Sequence, residues 1–244
     1  LDKARIGATG GSAGACSSLW LAFHADMADA KSADPIARES TRLWCAAVNG
    51  AQTTLDPHQM KTWTPNSKYG AHAFGFVGDK EKKLSSFDVF LAKRDTILPW
   101  IAEYSPYALV TSNAPPIYLT YSAPPALGKD EKDPTHTANF GVKLQERCKA
   151  ADVECELVFP GAIGTNISVN SGVATPTQAA ESSKSSSFKT LDPAVAAEII
   201  INAIEQDKYS VHVGPDSNLM DKLYRFNPKG AAELIYNQMK ELLK

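Results

Sequence analysis

A chain of 244 residues, 43% apolar and 21% charged, has room for one domain, or one and a fraction, around a substantial core. Its 25 basic and 27 acidic side chains leave a formal charge of −2. That balance gives no electrostatic footing for nucleic acid or an anionic membrane, and no apolar run approaches the roughly 20 residues of a spanning helix. No leader sequence is visible, so localisation stays open, as does oligomeric state. The chain begins at Leu1 and enters a strand almost at once, the expectation for a piece of a longer protein.

In chain order, residues 4–9 read as a strand and 13–27 as a helix. Residues 42–49, Arg-Leu-Trp-Cys-Ala-Ala-Val-Asn, read as a buried parallel strand. Residues 53–113 are irregular or partly helical, with too many aromatics for a disordered linker. They read as core and cap. Residues 116–122 form the next strand. Helix 138–150 places Phe140, Leu144 and Cys148 on one face at four-residue spacing. Strand 153–159 ends at Pro160-Gly161. Residues 164–190, rich in Ser, Thr, Asn and Ala, read as a loop. Asp192-Pro193 is a good helix start, and that helix runs to about Gln206. A short strand at 209–214 and helical sequence over 217–243, interrupted near Pro228, complete the chain. Strands alternating with helices predict a three-layer α/β fold with a mostly parallel sheet. Four scattered cysteines, with no C-x-x-C pair and no metal-like His/Cys spacing, read as reduced thiols, and no metal is expected.

The segment Gly10-Gly11-Ser12-Ala13-Gly14 carries the most chemistry. A G-x-S-x-G turn between strand and helix is the context of a nucleophile elbow. Small neighbours let the turn close tightly and lift the serine oxygen clear of the sheet edge. The N–H of Ala13 then supplies half of an oxyanion hole. A rival reading takes Thr9–Gly14 as a phosphate-cradling turn. Against it, Ala15-Cys16 stands where the last glycine belongs.

Residues 4–161 resemble an α/β-hydrolase of the esterase/lipase type. The likeness rests on the elbow, the strand ending Asn49-Gly50-Ala51-Gln52, and Asp133-Pro134-Thr135-His136 between strand 116–122 and helix 138–150. In that family the triad carboxylate sits in this loop. The resemblance implies Ser12 as nucleophile and Asp133 as the acid that orients the base, with Asp130 as fallback. The first strands of that family and the loop supplying its second oxyanion amide are missing. From about Phe159 onward the chain resembles the C-terminal part of a short-chain dehydrogenase/reductase, through Pro160-Gly161-Ala162-Ile163-Gly164-Thr165 and the elements that follow. That likeness implies Gly161, Ile163 and Thr165 beside a nicotinamide ring. The family's Y-x-x-x-K pair is lacking at its place, since Pro125 stands four residues after Tyr121, and Tyr236-x-x-x-Lys240 matches the string only in the terminal helix, far beyond the Pro160-Gly161 turn. The division predicted is 1–160 hydrolase-like and 161–244 dehydrogenase-like, together completing one sheet.

The base is the gap in the hydrolase reading. The family places it after the next strand, where residues 162–169 hold no histidine. His24 is carried away on the helix, and His58 and His72 lie in the aromatic middle. His212 keeps the Ser–Asp–His order but sits within a strand. His136, three residues from Asp133, is in the right loop, though at the acid's position, and is carried as a candidate. The expectation is an esterase-like protein acting on a small acyl ester without a cofactor, impaired for want of a base. The alternatives are an NAD- or NADP-dependent reductase fragment and an inactive hybrid chain.

Overall fold

The computed structural model describes residues 2–160, 163–164, 169, 175, 177, 190–206, 208, 210–227, 230–231 and 233–234. The chain divides into two compact units, Leu1–Leu157 and Val158–Lys244.

In the first unit β1 (Gly7–Gly11) leads into α1 (Ala13–Phe23), followed by β2 (Cys45–Asn49). The aromatic middle forms α2 (Pro57–Trp63), α3 (Ser86–Ala92), α4 (Leu98–Tyr104) and α5 (Pro106–Leu109), with two short 3₁₀ turns between. Then come β3 (Ile117–Thr120), α6 (Asn139–Ala150) and β4 (Cys155–Pro160), within which the unit boundary falls. The second unit adds α7 (Pro193–Glu205), β5 (Ser210–Val213) and α8 (Pro215–Phe226). Strands are hydrogen-bonded in chain order, β1 to β5. β1 runs parallel to β2, and β2 parallel to β3. The fold is layered α/β, a mostly parallel sheet with flanking helices.

The register decides where chemistry can occur. Gly11 lies opposite Asn49, and Asn49 opposite Thr120, so β1, β2 and β3 end level. The loops that follow them gather on one edge, where open α/β sheets place their sites. Ala46, Val48, Ile117 and Leu119 are buried, as are Ala15, Leu19, Ala22 and Phe23 of α1. On α6 the predicted stripe Phe140, Leu144 and Cys148 is fully buried. Gly141 lets that helix settle directly on the sheet, because a Cβ there would lie 2.4 Å from the Tyr121 ring.

The aromatics of residues 53–113 build a core of their own. Leu55, Met60, Trp63, Phe87 and Phe90 pack with Phe140 of α6, and Tyr69, Phe74, Phe76 and Tyr107 pack around them. Local signals start these helices. Asp56 caps α2 ahead of Pro57, and Ser85 and Asp88 form a capping box on α3. Asp56 is also tied to Arg94 by two hydrogen bonds of 2.8 and 2.6 Å.

Several boundaries differ from the sequence expectation; β1 spans Gly7–Gly11 instead of 4–9, and two others lie around one loop. α1 stops at Phe23 instead of 27, and β2 starts at Cys45 instead of 42. Between them, Asp26 accepts from the N–H groups of Ala28 and Thr41 and from the Ser40 hydroxyl, a side-chain bonding pattern that competes with helix. In the second unit Asp192 caps α7 as the sequence predicts, and Val158, Ala196, Ala203, Val211 and Val213 form the core. Among the described residues no helix is long and apolar enough to cross a membrane.

Candidate active site

Ser12 is the single residue between β1 and α1. Its backbone lies at φ 52°, ψ −117°, a region that a residue with a Cβ enters only at a cost. The turn holds because its neighbours are fixed. Ser12 N–H donates to the Asn49 carbonyl (3.0 Å), and Cys16 N–H donates to the Ser12 carbonyl (3.0 Å). The closeness of strand and helix explains Gly10, where a Cβ would lie 2.5 Å from the Gly14 carbonyl carbon. The first N–H groups of α1 have no intrahelical acceptor, and Ala13 is exposed at that positive helix end. Burial pushes the Cys16 thiol up to about 11, so this neighbouring sulfur stays protonated and unreactive at neutral pH.

The partner of Ser12 comes from the loop after β3. Asp133 folds the chain back on itself. Its Oδ1 accepts from the N–H of Thr135 (3.1 Å) and of His136 (3.2 Å), an Asx turn. Its Oδ2 lies 2.8 Å from His136 Nδ1. On the far side of the ring, Nε2 lies 2.9 Å from Ser12 Oγ. A carboxylate at Nδ1 places the ring proton there and leaves a lone pair on Nε2 facing the hydroxyl. Burial alone would raise the Asp133 carboxyl. The His136 ring and the two backbone N–H groups outweigh it and hold Asp133 below the usual carboxylate range.

Residues after β2 support this loop. Gly50, at φ 57°, faces the His136 ring, which would be 3.5 Å from a Cβ placed there. Gln52 Nε2 donates to the Thr135 carbonyl (2.9 Å). The Tyr121 hydroxyl donates to the Ala51 carbonyl (2.9 Å), and the Thr53 hydroxyl to that of Phe140 (2.9 Å).

The structure thus brings Ser12, Asp133 and His136 together at the predicted sheet edge. His136, carried from the sequence as a candidate at the acid's position, lies within hydrogen-bond reach of Ser12, where the expectation was a site impaired for want of a base. One Asx turn at i,i+3 spacing presents both acid and imidazole, so no second loop is needed. Asp130 is exposed and outside this chain of contacts. His24 bonds to Ala25 and Glu103. His58 and His72 lie on the aromatic middle, both exposed. His212 Nδ1 is 3.3 Å from Ser217 Oγ, but that hydroxyl gives its proton to the Phe159 carbonyl at 2.8 Å. Ile163 bridges to Leu191 and packs against the second unit's core, while Gly161 and Thr165 lie outside the described residues. No group of three His, Cys, Asp or Glu able to hold a metal occurs among the described residues. Gln52 entered the sequence reading only as the last residue of the Asn49-Gly50-Ala51-Gln52 segment, with no role assigned to it.

No protein-family model matches the chain, and no curated protein matches it. Among solved structures it is similar to the acetyl ester-xyloside bifunctional hydrolase from Caldicellulosiruptor lactoaceticus, at 18% identity and a TM-score of 0.44. The alignment covers 75% of this chain and 56% of that one, so the chain spans little more than half the length of that protein. A likeness this distant carries nothing about chemistry, and the functional reading rests on the residues themselves.

Proposed function

We propose that this chain is a serine hydrolase of small acyl esters. The observation that carries the reading is the continuous relay Ser12 Oγ···His136 Nε2 (2.9 Å) and His136 Nδ1···Asp133 Oδ2 (2.8 Å). As Ser12 Oγ attacks the acyl carbon, its proton passes to His136 Nε2, and Asp133 stabilises the imidazolium that forms. The oxygen of the tetrahedral intermediate takes the N–H of Ala13, at the positive end of α1. His136 then returns the proton to the leaving alcohol. Water repeats the sequence on the acyl-enzyme and releases the carboxylic acid. The reaction calls for no cofactor. With one oxyanion donor identified, turnover is expected to fall about 10²–10³-fold short of a site with two.

The test is labelling with a fluorophosphonate probe, together with hydrolysis of p-nitrophenyl acetate. Ser12→Ala is expected to abolish labelling, and Asp133→Asn to slow it by about 10²–10⁴-fold, because the ring loses its preferred tautomer. A wild-type chain that resists the probe, or a Ser12→Ala chain that still takes it, refutes the proposal.

A further inference from the structure

We infer that Gln52 is a positioning residue that holds His136 in line with Ser12, an inference that rests on the hydrolase reading. Gln52 is wholly buried, with 0% of its surface exposed. Its Nε2 donates to two carbonyls, Thr135 at 2.9 Å and Gly50 at 3.3 Å. Two acceptors on one amide atom identify that atom as the nitrogen. These carbonyls belong to the two residues that bracket the imidazole. Thr135 immediately precedes His136, and Gly50 lies against its ring.

The clamp has something to hold. The side chains of Asp133 and His136 are 62% and 39% exposed, so the Asx turn has little packing of its own. Gln52, by contrast, is anchored on both sides. The carbonyl of Ala51 is bound by Tyr121, and the hydroxyl of Thr53 is bound to Phe140. One amide therefore transmits the rigidity of the sheet to an exposed catalytic turn. General-base catalysis needs heavy atoms held within hydrogen-bond reach, which an untethered turn satisfies only part of the time.

The other half of the amide separates positioning from plain support. Gln52 Oε1 is buried and has no partner among the described residues. An unpaired buried oxygen lowers stability. An apolar side chain of similar size would remove that burden; of the two acceptors it leaves, the Thr135 carbonyl, on a half-buried residue, turns to water, and the buried Gly50 carbonyl gives up only the longer bond of 3.3 Å. Ordinary structural support predicts the reverse, a loss of stability when the amide goes.

The experiment replaces Gln52 by Leu and, independently, by Met in the full chain. Thermal midpoint, kcat and KM for p-nitrophenyl acetate, and the downfield proton resonance of His136 Nδ1–H are measured. The expected result is an unchanged or higher midpoint, a kcat reduced about 10–100-fold with KM within about twofold, and a Nδ1–H resonance broadened or lost. A folded variant with wild-type kcat and a sharp Nδ1–H resonance overturns the inference. So does a midpoint that falls while kcat holds, or failure of both variants to fold. If the wild-type chain shows no turnover, the hydrolase reading fails by itself. The Nδ1–H resonance still decides whether Gln52 holds His136.

Discussion

The two glycines of the elbow motif have unequal jobs, and substitution of each by alanine separates them. At Gly10 an added Cβ lands 2.5 Å from the Gly14 carbonyl carbon, 2.6 Å from its oxygen and 3.0 Å from Ala15 N. Ordinary carbon contacts begin near 3.5 Å, so strand and helix must part by about 1 Å. All three obstacles are backbone atoms, so no side chain can swing aside. The helix cannot drift freely either, since Ala15, Leu19 and Ala22 are wholly buried. Overpacking of a fixed site costs about 1–3 kcal/mol, and the immobile backbone argues for the upper end, about 3 kcal/mol. At Gly14 a Cβ meets nothing within 4 Å. Alanine is the better helix former by about 1 kcal/mol, so Gly14→Ala is expected to be neutral or stabilising. All four tryptophans, Trp20, Trp44, Trp63 and Trp100, lie in the first unit, so urea unfolding followed by tryptophan fluorescence reports on it. Gly10→Ala is expected to lower the midpoint by about 1 M or more. It is also expected to slow fluorophosphonate labelling about 100-fold, through the displacement of Ser12. Equal midpoints for Gly10→Ala and wild type, or equal damage from both substitutions, would refute the reasoning.

Two further outcomes follow from strain and charge. Ser12→Gly is expected to be more stable than Ser12→Ala by about 1 kcal/mol, since both lose the hydroxyl and only glycine relaxes at φ 52°; equal urea midpoints would show that the elbow stores no strain. Arg94→Leu leaves the Asp56 carboxylate, 9% exposed, without its guanidinium and is expected to cost about 3 kcal/mol at pH 7. Burial pushes the Asp56 carboxyl up, but Arg94 and the His58 N–H more than offset this and hold it below its usual range. Its contribution is therefore full above the unfolded carboxylate value of about 4 and fades as pH falls through the lower folded value. The gap between wild-type and Arg94→Leu midpoints should shrink between pH 7 and pH 3, and a gap that stays constant would sink the assignment.

Much of the fold was legible because local and global signals agree along it. Asp192-Pro193 starts α7 by capping chemistry alone, and Phe140, Leu144 and Cys148 face the core because four-residue spacing is one helical turn. The failures occur where a side chain competes with the backbone. Residues 24–27 look helical by composition, yet Asp26 gathers the N–H groups of Ala28 and Thr41, and that long-range bonding has no periodicity to read. The aromatic middle was legible as core but not in its arrangement. Its packing around Phe90 brings in Phe74 and Phe76 from outside α3, within a cluster that reaches from Leu55 to Phe140.

The site divides along the same line. Ser12 and Ala13 follow from glycine spacing between a strand and a helix, which is local. Asp133 follows from the resemblance, which puts the acid in the loop after β3. His136 was legible as a candidate in the same loop, but the resemblance places the base after the next strand, so the sequence put His136 at the acid's position. The physical requirement is weaker. A base needs a carboxylate within about 3 Å of one ring nitrogen and the nucleophile within about 3 Å of the other. An aspartate three residues before a histidine meets the first condition whenever its second oxygen caps the intervening N–H groups. The spacing Asp133-x-x-His136, at a loop ending level with the elbow, is therefore itself a signal. Gln52 remains illegible from sequence because what distinguishes it is a pair of carbonyl partners, one of them 83 residues away. The Asp133–His136 turn is four consecutive residues, whereas the amide bonded to its Thr135 carbonyl comes from the segment after β2.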